Sequence, residues 1–150
     1  MSASKPSTPP VPARILLVDD NALGLKARKM VLEEVGYKIS LASNGDDALE
    51  AFDRQKFDLV VTDYKMPRMN GLELIVRLRK LTEALPIILI SGYVDALGLS
   101  EQNTGADAVI QKSANEVAHL VRAVARLLRP KPARKPNKGE GGAAKRKTAP

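Results

Sequence analysis

The sequence contains no cysteine and no tryptophan, and only 3% of its residues are aromatic. Without thiols it has no disulfides, no thiolate zinc site and no cysteine nucleophile, and it fits a reducing compartment. Imidazole is scarce too. The single histidine, His119, falls in a helical stretch, where an amphipathic ring fits a surface or packing role better than catalysis. No apolar run approaches the roughly 20 residues that span a bilayer. The Pro- and Ser-containing start has no apolar signal core. A cytoplasmic protein without a transmembrane segment is expected. Nor is there a Gly-rich phosphate loop leading to Lys-Ser/Thr, since Gly139-Glu140-Gly141-Gly142 precedes no helix.

What is present is an aliphatic core and a lopsided charge. Hydrophobic residues make up 44% of the 150, enough for one domain of ordinary size. The formal net charge is +7, yet residues 130–150 hold seven Lys or Arg against Glu140 alone, so that segment carries six of the seven charges. The basic character belongs to this end and not to the rest. Residues 1–13, with Pro6, Pro9, Pro10 and Pro12, read as a disordered Pro-rich arm, and 130–150 as a disordered basic tail. The domain itself is expected over 14–129.

Within that span, short apolar runs alternate with helical patterns. Arg14–Val18, Tyr37–Leu41, Phe57–Thr62, Ile87–Ile90 and Ala108–Gln111 read as strands. The first is continuously apolar, as a parallel strand covered on both faces should be. Helices are expected between them, the first burying Ala27, Met30, Val31 and Val35 before Gly36 ends it. Leu72, Ile75 and Leu78 mark the buried face of the third, with Arg77, Arg79 and Lys80 mostly on its solvated side. Residues 93–105 form a weaker helix or loop, and Ala114–Leu128 the last helix, with Val117, Leu120, Val121, Val124 and Leu128 as its core stripe. Five such alternations predict an α/β fold with a doubly wound parallel sheet and right-handed crossovers.

The polar residues at the strand ends carry the chemistry. Strand one runs into Asp19-Asp20, strand three into Asp63, strand four into Ser91 and strand five into Lys112. Taken alone, Asp63 reads first as a strand-ending, turn-capping residue. With parallel neighbours, however, these ends converge at the carboxyl edge of the sheet, where such folds bind ligands. Asp46-Asp47, by contrast, suits the first turn of a helix, where negative charge meets the dipole.

Asp19-Asp20, Asp63 with Met66-Pro67-x-Met69-x-Gly71, Ser91-Gly92 and Lys112 together resemble the receiver domain of two-component response regulators. The resemblance covers about residues 13–129. It implies a CheY-like (flavodoxin-like) sheet of order 2-1-3-4-5, which sets Asp19, Asp20 and Asp63 side by side. It implies Asp63 as phosphoacceptor. It also implies Mg²⁺ held by Asp20, Asp63 and the backbone carbonyl of Lys65, with Asp19 helping through water. Ser91 and Lys112 would contact the transferred group. The donor would be a phosphohistidine on a sensor histidine kinase or phosphotransfer protein. A downstream protein would dock on the face made by helix four, strand five and helix five. The role is signalling, through partner binding or phosphorelay in a stand-alone receiver, and not that of an enzyme. The chemistry agrees. Clustered carboxylates repel until a hard divalent cation or a Lys offsets them, and an ionised Asp attacks phosphorus without a base.

Two positions depart from the family pattern. Ser113 replaces the proline that usually follows the lysine, which predicts a trans Lys112–Ser113 bond and an altered loop. Val109 replaces the usual aromatic switch residue, with Tyr93 as a substitute. Two other functions compete. A scaffold working through its basic tail, on nucleic acid or an acidic partner, needs no phosphorylation. An Asp-nucleophile phosphatase needs a second Asp two residues on, where this chain has Lys65.

Overall fold

Every apolar run named above becomes a strand of one sheet. The computed structural model describes residues 12–129. Arg14–Val18 (β1), Lys38–Ala42 (β2), Leu59–Asp63 (β3), Ile87–Ser91 (β4) and Ala108–Gln111 (β5) alternate with helices Ala22–Val35 (α1), Gly45–Arg54 (α2), Gly71–Leu81 (α3) and Glu116–Leu128 (α6). The weak segment between β4 and β5 resolves into two single-turn helices, Val94–Leu97 (α4) and Glu101–Thr104 (α5). All pairings are parallel, and the strand order is β2-β1-β3-β4-β5, as the resemblance implied. The basic tail lies outside the described residues, as does the Pro-rich arm apart from residues 12 and 13.

The continuous apolar runs follow from helices on both faces. Successive strand residues point to opposite sides, so Leu16, Val18, Val60, Ile87 and Leu89 join one core with α2 and α3. Ile15, Leu17, Leu59, Val61, Ile88 and Ile90 join the other with α1 and α6. Every residue of β3 and β4 is buried. Each large side chain so buried contributes about 1.5–3 kcal/mol relative to exposure.

The helices start where the sequence supplies caps. Asn21 accepts the Gly24 N–H, Asn44 accepts the Asp47 N–H, and Asn70 forms a reciprocal capping box with Glu73. Asp46 and Asp47 occupy the first turn of α2, as expected. Gly36 ends α1 at φ 121°, a conformation that favours glycine.

Three expectations need correction. The buried face of α1 is Leu25, Arg28 and Leu32, whereas Ala27, Met30 and Val35 are exposed. An arginine occupies the middle of the inward stripe, so hydropathy alone selects the wrong register. Arg79 is no solvated cation either. It donates to the carbonyl oxygens of Glu83, Leu85 and Gly105 and to the Asp107 carboxylate, which also accepts the Ile87 N–H. It thereby ties α3 to the amino ends of β4 and β5. Lastly, α6 begins at Glu116 and not Ala114, because Ser113 turns the chain: its hydroxyl accepts the Asn115 N–H and its carbonyl the Glu116 N–H.

Candidate functional site

Strand register alone brings the polar residues to one rim. Val18 is level with Thr62, so Asp19 and Asp63 both stand one position further along adjacent strands. Asp63 is level with Ile90, and Ser91 with Gln111, which places Ser91 and then Lys112 on the other side of Asp63. The Tyr64 N–H donates to the Ile90 carbonyl and the Lys112 N–H to the Ser91 carbonyl, extending the ladder beyond the strands.

The loop after β3 holds Asp63 in place. Met66 and Met69 are buried in the α2–α3 core. The Gly71 N–H returns to the Tyr64 carbonyl at 2.7 Å. A Cβ on Gly71 would collide with the Asp63 carbonyl oxygen and Tyr64 Cα, so no other residue fits there without displacing the loop. The Met-Pro-x-Met-x-Gly pattern is thus the packing solution that brings α3 up against the end of β3.

Asp19, Asp20 and Asp63 each place a carboxylate oxygen within 4.8 Å of the others. Asp19 and Asp63 are buried and Asp20 is exposed. The Lys112 ammonium lies 2.9 Å from Asp63 Oδ1. Asp19 Oδ1 accepts the Asn21 N–H at 2.9 Å, and its Oδ2 accepts from Arg28 Nη1 at 2.7 Å. Arg28 Nε reaches Glu116 Oε2 at 2.7 Å. Ser91 Oγ accepts the Tyr93 N–H, which leaves its own hydrogen to donate. Asp19, Asp20, Asp63, Ser91 and Lys112 line a cleft of about 650 Å³ together with Lys65, Met66, Pro67, Gly92 and Tyr93, while Arg28 and Glu116 stand behind Asp19 outside this lining.

Burial pushes the Asp63 carboxyl above the ordinary carboxylate value. The Lys112 hydrogen bond opposes that shift and the Asp19 charge reinforces it. Burial works against the Arg28 charge, but Asp19 and Glu116 outweigh it and hold the guanidinium above its usual value. Four carboxylates (Asp19, Asp20, Asp63, Glu116) therefore gather here; Arg28 and Lys112 pair with three of them, and Lys65 also lines the cleft without an ion pair to them among the described residues. An excess of carboxylates, all oxygen donors, suits one hard divalent cation.

Comparison with known proteins decides the family. A family model described as the response regulator receiver domain matches residues 15–125. The chain belongs to the response regulator receiver domain family. Such receivers are signalling modules of two-component systems and bind Mg²⁺ at an acidic pocket. The transcriptional regulatory protein GlrR of Escherichia coli is 33% identical over 94 residues, covering 61% of this chain and 21% of GlrR. The response regulator MprA of a Mycobacterium species is 36% identical over 98 residues, covering 65% of this chain and 41% of MprA. The receiver thus spans about two fifths or less of these curated relatives. Among solved structures, TrrA of Thermotoga maritima, in complex with Mg²⁺–BeF, is similar at 37% identity with a TM-score of 0.69, covering 77% of this chain and 99% of TrrA.

Asp19, Asp20, Asp63, Lys65, Ser91 and Lys112 all line this receiver's cleft. The Lys112–Ser113 bond is trans, as expected, since there is no cis peptide among the described residues, and Lys112 still reaches Asp63. His119 is exposed on α6 and lies away from the cleft lining. Tyr93 is 42% exposed and packs edge-on against Tyr64, with Lys65 Nζ 5.5 Å from its ring centre. Arg28 and Glu116 were not expected at the site. The signal for Arg28 was its place between Leu25 and Leu32 at helical spacing. Nothing local points to Glu116, which is 88 positions away in the chain. No helix among the described residues is long and apolar enough to cross a membrane.

Proposed function

We propose that residues 14–129 form a receiver that accepts a phosphoryl group on Asp63 from a phosphohistidine of a sensor histidine kinase or phosphotransfer protein. The observation that supports this most is the buried Asp63 carboxylate, 2.9 Å from the Lys112 ammonium at the centre of an acidic cleft. In the transfer, the P–N bond to the donor imidazole breaks and a P–O bond to an Asp63 oxygen forms. The imidazole leaves with the bonding electrons. Asp63 needs no base, because it reacts as the carboxylate. Lys112 offsets charge on the phosphoryl oxygens, and the Ser91 hydroxyl donates to one of them. Both act mainly by position and charge, as this chemistry requires. Asp20, Asp63 and the Lys65 carbonyl would hold Mg²⁺, with Asp19 at its edge. When bound, the ion supplies charge neutralisation at the acidic cleft and a fixed orientation for the incoming group.

The output would be a change in partner binding, or onward transfer of the phosphoryl group. The surface offered is that of α4, α5, β5 and α6, where Val109, His119, Arg122 and Arg126 line a shallow groove. Gln111 links this face to the cleft, since its side chain donates to the Gly92 carbonyl and accepts the Asp95 N–H. The alternative reading through the basic tail falls outside the described residues.

The test is incubation of the full chain with acetyl phosphate or phosphoramidate, with and without Mg²⁺, followed by intact-mass measurement. A Mg²⁺-dependent gain of one phosphoryl group, lost in Asp63→Asn, is expected. No gain in the unaltered protein would overturn the reading.

A further inference from the structure

Arg28 is the least expected charge in the molecule. Its side chain is 6% exposed, and it lies between Asp19 of the cleft and Glu116 in the first turn of α6. Distinct nitrogens serve the two acids, Nη1 for Asp19 and Nε for Glu116, each at 2.7 Å. Arginine can do this because its planar fork presents several fixed N–H groups, whereas a lysine ammonium is a single point charge. Both oxygens of Asp19 already have a protein donor, Arg28 on one and the Asn21 N–H on the other. Asp20 has no ion pair among the described residues, and Asp63 has only Lys112.

We propose that Arg28 is a positioning residue that sets the divalent-cation affinity of the cleft, acting as an internal counter-ion to Asp19 whose grip is tempered by Glu116. The inference rests on the receiver reading and extends it to a residue that does not touch the cation. A cation entering the cleft competes with Arg28 for the charge of Asp19. In surroundings of low polarity such competition is strong. Glu116 draws the guanidinium toward α6 and so leaves Asp19 with more charge to offer. The same three side chains connect the cleft to the start of α6, so the state of the cleft and the seating of that helix are coupled.

The test is calorimetric titration of the full chain with Mg²⁺ alone, on the unaltered protein, Arg28→Gln, Glu116→Gln and the double variant. Arg28→Gln is expected to tighten Mg²⁺ binding about tenfold, by removing a nearby cation. Glu116→Gln is expected to weaken it several-fold, because Arg28 then serves Asp19 alone. In the Arg28→Gln background the Glu116 change is expected to have a much smaller effect, since most of its action runs through Arg28. A merely structural role would loosen the site in every variant and tighten it in none. Weaker or unchanged binding in Arg28→Gln overturns the proposal, as does an equal Glu116 effect in both backgrounds. Should Arg28→Gln fail to fold, Glu116→Gln decides the matter: tighter or unchanged binding counts against the proposal. Absence of Mg²⁺ binding in the unaltered protein would instead overturn the metal reading beneath it.

Discussion

The two edges of the sheet each hold a partly or fully buried arginine, and they use it in opposite ways. At the amino edge, Arg79 is matched. Three backbone carbonyls and Asp107 take its N–H groups, and Asp107 in turn takes the Ile87 N–H. At the carboxyl edge, Arg28 is outnumbered, because it is shared between two acids, Asp19 and Glu116, in a cluster where carboxylates exceed cations. A balanced cluster fastens elements together and has nothing left to offer a ligand. An unbalanced one costs stability, which is a mark of a site kept for binding.

The sharpest way to break this contrast is to unfasten the balanced edge. Arg79→Ala strips donors from three carbonyls and leaves Asp107 without its ion pair. We expect a loss of about 3 kcal/mol in urea unfolding, with phosphoryl uptake per folded molecule unchanged. A parallel loss of uptake would show that the edges are not separable.

The second prediction works from the other side. Asp63 has a folded-state pKa above its unfolded value of 3.8, with burial as the main cause. The folded state therefore holds the proton more tightly, and ionisation costs stability at neutral pH. That cost is present above the folded pKa and disappears as pH falls below the unfolded one. Asp63→Asn is accordingly expected to raise the thermal midpoint by a few degrees at neutral pH without divalent cations. The gain should shrink as the pH is lowered. An Asn variant no more stable than the unaltered protein at neutral pH would mean that Lys112 fully balances the site.

The smallest effect is expected at the rim. Tyr93 touches Tyr64 edge-on but is 42% exposed. Tyr93→Ala should cost only about 0.5 kcal/mol in the same unfolding measurement and leave phosphoryl uptake intact. Tyr93 lines the mouth of the cleft, so a large drop in uptake would show that it contacts the reacting group and does not merely border it.

Much of the carboxyl edge was legible from the sequence, because strand-ending polar residues announce themselves against apolar runs. Asp19, Asp63, Ser91 and Lys112 each stop such a run. What was not legible is where charge and burial disagree. Arg28 sits where hydropathy demands a leucine, so the reading of α1 rotated toward Met30 and Val35, which are exposed. Arg79 likewise read as solvated, because its carbonyl partners come from loops whose path no local pattern reveals. The pairing of Arg28 with Glu116 depends on α1 and α6 lying on the same side of the sheet, a fact of topology and not of either segment.

The position of β1 has a consequence for how the molecule comes into being. It pairs with β2 on one side and β3 on the other, through partners 24 and 44 positions further along, as in Arg14↔Lys38 and Ile15↔Leu59. During synthesis this strand leaves the ribosome before either neighbour exists. Its four buried residues, Ile15 to Val18, must wait unpaired while the chain between is made. Distant pairings of this kind slow folding, and an apolar strand that waits is open to wrong partners. The same central placement that brings Asp19 beside Asp63 therefore makes the domain's earliest strand its longest-exposed one.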